Sequence, residues 1–167
     1  MALIRPVLKA TVFGVVLLGV FAGGWVAGRT GLGAAVDPSS LEDRERQFAE
    51  RMRGVSLVGS YNVAGKDRPP SADRYDIASV EKIGDNLWRF NAHMDCCGIN
   101  GNIPIAVPMT WVGDTPMIMM TDTTLPGIGT FTVRLFFYGD RYAGTWQHGK
   151  VGGHMSGRIE KQGGSNP

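Results

Sequence analysis

From Ser56 onward, β-branched and aromatic residues alternate with polar ones, and Gly, Asp or Asn pairs interrupt the alternation at short intervals. A period of two puts successive side chains on opposite faces of a strand, so this pattern cannot rest as a helix. It predicts strands at 56–63, 74–83, 87–97, 103–112, 116–122, 130–138, 141–147 and 154–160. Turn signals lie between them at Gly84-Asp85-Asn86, Asn100-Gly101, Gly113-Asp114, Gly127-Ile128-Gly129 and Gly139-Asp140. About eight short strands joined by tight turns, with no helix among them, specify an all-β antiparallel barrel or sandwich.

Two hairpins sharpen this reading. With Gly139-Asp140 as a two-residue loop, Tyr138 pairs with Arg141, Phe137 with Tyr142, Leu135 with Gly144 and Val133 with Trp146. Alternation and register then agree. With Asn100-Gly101 as a type I′ turn, Phe90 faces Trp111, Ala92 faces Met109, Met94 faces Val107 and Cys96 faces Ile105. That register puts Pro104 and Pro108 where a ladder donor is needed, and proline has none. A bulge at Cys96-Cys97-Gly98 or a longer loop would turn the prolines away from the partner strand, as on an edge or distorted strand.

The N-terminus is of another kind. Residues 10–28 carry no charge, and nineteen such residues would span about 29 Å as a helix, close to the ~30 Å hydrocarbon core. Arg5 and Lys9 precede the run, which places the N-terminus in the cytoplasm and the rest outside. The expectation is a single-pass signal anchor in the inner (cytoplasmic) membrane. A cleaved signal peptide ending near Gly33-Ala34-Ala35 is the alternative.

The net charge of +2 sits in this leader, which holds Arg5, Lys9 and Arg29 and no acid. Residues 54–161 hold ten Lys/Arg against ten Asp/Glu. A neutral domain lacks the basic footprint that phosphate binding needs, so no nucleic-acid partner is expected. Between leader and strands, "SSLEDRERQFAERMRG" reads as a short helix with Ser39 and Glu42 as its capping box. Leu41, Phe48 and Met52 give it a thin apolar stripe, as for a solvated stalk that packs lightly. The domains expected are a membrane-anchoring segment and spacer over 1–35, a helical stalk over 36–54, the barrel over 55–161 and a disordered tail over 162–167.

The opening of the first strand, Leu57-Val-Gly-Ser-Tyr61, resembles the Leu-x-Gly-x-Trp/Tyr start of small lipocalin-like barrels. The stretch from Val55 to Lys161, with "DRYDIASVEKIGDNLWRFNA" and "YAGTWQHGKVGGHMSGRIEK", is also similar to membrane-anchored bacterial proteins of this size. The lipocalin-like resemblance implies a small apolar ligand held in the barrel mouth.

Strand parity that turns Tyr75 and Ile77 inward also turns Ser79 and Glu81 inward, and a buried carboxylate needs a partner, a ligand or a wet rim. The candidate pocket is therefore Tyr75, Glu81, Trp88, Phe90, Trp111 and Trp146. An interaction module for protein or envelope assembly would instead have a core filled by Phe90, Trp111, Phe137 and Trp146, with an exposed edge strand near Pro104–Pro108. A metal or thiol-redox site would draw on His93, Cys96, Cys97, His148 and His154. On one strand His93 and Cys97 lie about 13 Å apart, too far for a nucleophile and its base. Methionines 94, 109, 117, 119, 120 and 155 suit Cu(I) as ligands or, more simply, the core as filler. No Ser-His-Asp spacing, paired-carboxylate motif or nucleotide fingerprint is present, so no catalytic residue and no cofactor is assigned.

Overall fold

The computed structural model describes residues 34–96, 99–125 and 128–163. The predicted anchor at 10–28 and the tail from 164 lie outside these residues, and among the described residues no helix is long and apolar enough to cross a membrane. Eight antiparallel strands run in chain order around a closed barrel: β1 (Val55–Tyr61), β2 (Ser71–Lys82), β3 (Leu87–Cys96), β4 (Ile99–Val112), β5 (Thr115–Leu125), β6 (Gly129–Tyr138), β7 (Arg141–His148) and β8 (Val151–Lys161). β8 returns to pair with β1 from Val55↔Lys161 to Tyr61↔Met155. The barrel, not the sandwich, is the architecture.

The β6–β7 hairpin has the predicted register, from Tyr138↔Arg141 to Val133↔Trp146. Gly139 makes the tight turn at φ +55°, which a side chain would resist. The β3–β4 hairpin differs from prediction. Asn100 and Gly101 lie within β4, and Phe90 faces Ile105, not Trp111. Pairing runs unbroken from Leu87↔Pro108 to Cys96↔Ile99, so no bulge interrupts Cys96; Cys97 and Gly98 lie outside the described residues. The Met109 amide donates to Asn86 O at 2.7 Å on the β3 side. Alternation then turns Pro104 and Pro108 toward β5, where proline's missing donor leaves no β3 bond unmade.

That outward side is open. β4 pairs with β5 only from Met109↔Ile118 to Val112↔Thr115. Among the described residues, Ile99–Pro108 and Met119–Leu125 pair only with β3 and β6 respectively. The barrel is thus fully laddered at one end and split along a β4–β5 seam toward the other.

A helix shuts the laddered end. The Asp37 carboxylate accepts from Ser39 N and holds a 3₁₀ turn at Pro38–Ser40, so the helix α1 (Asp43–Arg51) begins later than predicted. Its capping box joins Glu42 and Glu45. α1 is no lightly packed stalk: Phe48 is 2% exposed and Met52 0%. Phe48 meets Trp88, Trp111 and Phe137 at ring-centroid distances of 6.0, 5.9 and 5.5 Å. The strand ends present more aromatic surface than they can bury among themselves, and Phe48 and Met52, one turn apart, cover it. Glu45, itself buried, pairs with Lys82 of β2 at 2.6 Å, and the Arg44 guanidinium lies over the Trp111 ring at 5.4 Å.

Candidate functional site

Above this plug the barrel is hollow. A cavity of about 590 Å³ occupies the interior, bounded below by Phe90 and Phe137 and reaching Val63, Arg68, Ile128, His148 and Val151 at the far end. Most of the wall is apolar. β3 to β6 supply Ala92, Met94, Ile105, Val107, Ile118, Met120, Val133 and Leu135.

The remaining wall is different, because a tyrosine crosses it. Tyr142 of β7 faces Gly157 of β8, Gly157 faces Gly59 of β1, and Gly59 faces Asp73 of β2. Tyr142 lies over both glycines and donates its hydroxyl to Asp73 Oδ1 at 3.2 Å. A Cβ on Gly157 would stand 2.7 Å from Tyr142 Cε1, and one on Gly59 would collide with the Tyr142 hydroxyl and the Ser156 carbonyl. Two side-chain-free positions on adjacent strands make the trough in which the ring lies.

Asp73 is 3% exposed. Its Oδ2 and the Trp146 Nε1 are the buried side-chain polar atoms without a hydrogen-bond partner among the described residues. Both residues line the cavity. Burial pushes the Asp73 carboxyl above its ordinary value, and hydrogen bonds from Tyr142 and Tyr75 pull the other way without cancelling the rise. A carboxyl with a raised folded-state pKa favours folding while protonated, and that contribution is lost as pH climbs from the unfolded value of 3.8 through the raised one. Asp73→Asn should therefore gain stability relative to the parent over that window and hold the gain above it. Urea unfolding of both proteins from acid to alkaline pH checks this; a difference that does not change with pH would show that the carboxyl is not perturbed.

Of the six residues predicted to line a pocket, Tyr75, Phe90 and Trp146 do so. Trp88, 1% exposed, and Trp111 pack instead around Phe48 at the plug. Glu81 is on the outer face. A register shift between Ile77 and Ser79 inserts Ala78 as a bulge, and the Ala78 carbonyl accepts from Gly54 N. Beyond it Val80 points inward at 4% exposure, and Ser79 and Glu81 point out. There Arg89 pairs with Glu81 and holds its carboxyl below the usual range, helped by Ser79.

The fold matches no family. Comparisons with protein-family models, curated proteins and solved structures return no match. The eight-stranded antiparallel barrel is compatible with the lipocalin-like architecture, and Gly59 and Tyr61 of the opening motif face inward on β1, where Tyr61 meets Trp146 edge-on at 5.8 Å.

The histidines are not brought together. His93 bonds Asn102 Oδ1 through Nδ1 at 3.1 Å, facing away from the cavity. His148 donates from Nδ1 to the Thr130 carbonyl at 2.9 Å and stacks on Phe131 at the mouth. His154 is exposed on β8. Cys97 and the side chain of Cys96 lie outside the described residues, and among those residues no three His, Cys, Asp or Glu converge on a metal position. Met94, Met109 and Met120 are core residues at 7%, 3% and 3% exposure, and Met117 and Met119 alternate with them on the outside.

The strand parity available in the sequence would have found Asp73, two residues before Tyr75. Tyr142 and its glycine trough needed the β7–β8–β1–β2 register across the closure.

Proposed function

We propose that this domain binds a small, largely apolar molecule inside its barrel, held outside the cytoplasm by the uncharged segment at residues 10–28. The supporting observation is the hollow interior. A cavity of about 590 Å³ falls within the ~300–1,000 Å³ typical of small-molecule sites, and it has their composition: an apolar lining with few polar groups. The Phe48 plug closes one end, which leaves the mouth and the seam for access.

An assembly module with a filled core fits less well, because Phe90 and Phe137 floor a cavity and Trp146 lines it. Strand addition to the outward side of β4 would meet Pro104 and Pro108, which offer no donor there.

The test uses N-phenyl-1-naphthylamine, a neutral apolar dye that brightens when it leaves water, with the full chain in lipid nanodiscs and empty nanodiscs subtracted. Saturable binding is expected in the parent and a loss of at least about tenfold in affinity in Ala92→Phe, whose ring would project into the cavity. Urea unfolding of the variant confirms that it is folded. Equal binding by parent and variant would place the dye elsewhere and defeat the proposal.

A further inference from the structure

We infer that the molecule taken up by the barrel is a hydroxylated lipophile, an apolar body whose hydroxyl is read by Asp73 Oδ2 and Trp146 Nε1. This rests on the cavity being a ligand site and adds the chemical class.

Polarity inside the barrel is segregated. Asp73 and Trp146 stand on the β7–β8–β1–β2 side, and the β3–β6 side is apolar throughout. A buried polar atom without a partner loses the full hydration free energy, so a protein rarely keeps one without a use. Here there are two, of complementary kinds. The indole nitrogen only donates; the carboxyl oxygen accepts when ionised and can donate when protonated.

The Tyr142 bond fixes the carboxyl. It occupies Oδ1 and leaves Oδ2 as the atom available to a ligand. The glycine trough keeps Tyr142 in place, so the polar group is preorganised.

Four head groups can be compared on one chain length. An alkane satisfies neither atom. A carboxylate accepts from Trp146 but meets an acid at Asp73. An ammonium donates to Asp73 but offers nothing to Trp146. A hydroxyl both donates and accepts, and it suits Asp73 in either protonation state.

Decane, 1-decanol, decylammonium and decanoate are the probes, each displacing N-phenyl-1-naphthylamine from the full chain in nanodiscs and compared at equal free aqueous concentration. Decanol is expected to bind about tenfold tighter than decane, the factor one or two net hydrogen bonds supply. Trp146→Phe and Asp73→Leu should each bring the decanol-to-decane ratio toward parity, and Trp146→Phe serves alone if Asp73→Leu does not fold. If decane, decanoate or decylammonium binds tightest, or if the ratio is unmoved in both variants, the hydroxyl class is wrong and the cavity reading stands. If no probe displaces the dye, or displacement is as strong in Ala92→Phe, the cavity reading fails and this inference with it.

Discussion

Replacing Phe48 with alanine is expected to destabilise the protein by about 3–5 kcal/mol, the range for truncating a buried aromatic ring. Phe48 is the residue on which α1 and the strand ends converge, with Trp88, Phe90, Trp111 and Phe137 around it. Those neighbours belong to β3, β4 and β6, which are held by their own ladders and cannot collapse freely into the space left behind. The void would sit directly under the floor of the cavity, so the variant should also lose discrimination among ligands. Glu50→Ala, on the exposed side of the same helix, should change stability by no more than about 0.5 kcal/mol. Urea unfolding followed by tryptophan fluorescence measures both. Equal, small effects would mean that the helix is only a stalk after all.

The second large effect is expected at Gly59. An alanine Cβ there would run into the Ser156 carbonyl and the Tyr142 hydroxyl and come within 2.8 Å of Gly157 Cα. Two of these obstacles are backbone, which no rotamer change can relieve. Overpacking ordinarily costs about 1–3 kcal/mol, and a backbone collision belongs at the top of that range. The displaced tyrosine would also leave Asp73 buried with less support. Gly101→Ala is the contrasting case, with open space around the new methyl, and should be neutral or slightly stabilising. Denaturation midpoints of the two variants decide it; similar midpoints would remove the argument that the trough needs glycine.

How legible was this in the residues? The β6–β7 hairpin was readable because its two-residue loop carries a glycine suited to positive φ and both strands alternate in the same register. The β3–β4 hairpin was misread by a strong local signal. Asn100-Gly101 favours a type I′ turn, but the closed barrel uses both residues inside β4, so tertiary pairing overrode turn propensity. The prolines carried the warning, and the register that resolves them turns both away from β3. Parity along β2 failed at Ala78, because a bulge there is marked by no glycine or proline, and one extra residue was enough to send Glu81 outside. The helix was found, but its role was not. Phe48 and Met52 look like a thin stripe until Trp88, Trp111 and Phe137 are known to end at the same place. The cavity was the least legible feature, since it depends on which small residues face which large ones across strands far apart in the chain.

The seam between β4 and β5 gives the barrel uneven mechanical compliance. Along most of its circumference, widening the mouth would break backbone hydrogen bonds. Between Ile99–Pro108 and Met119–Leu125 no ladder is recorded to break, and two prolines keep β4 from supplying its full row of donors. Deformation should therefore concentrate on this line, while the plugged end keeps its shape. A barrel so constructed behaves less like a rigid cup than like a split collet, gripping from a fixed base and yielding along one slot to whatever is pressed into it.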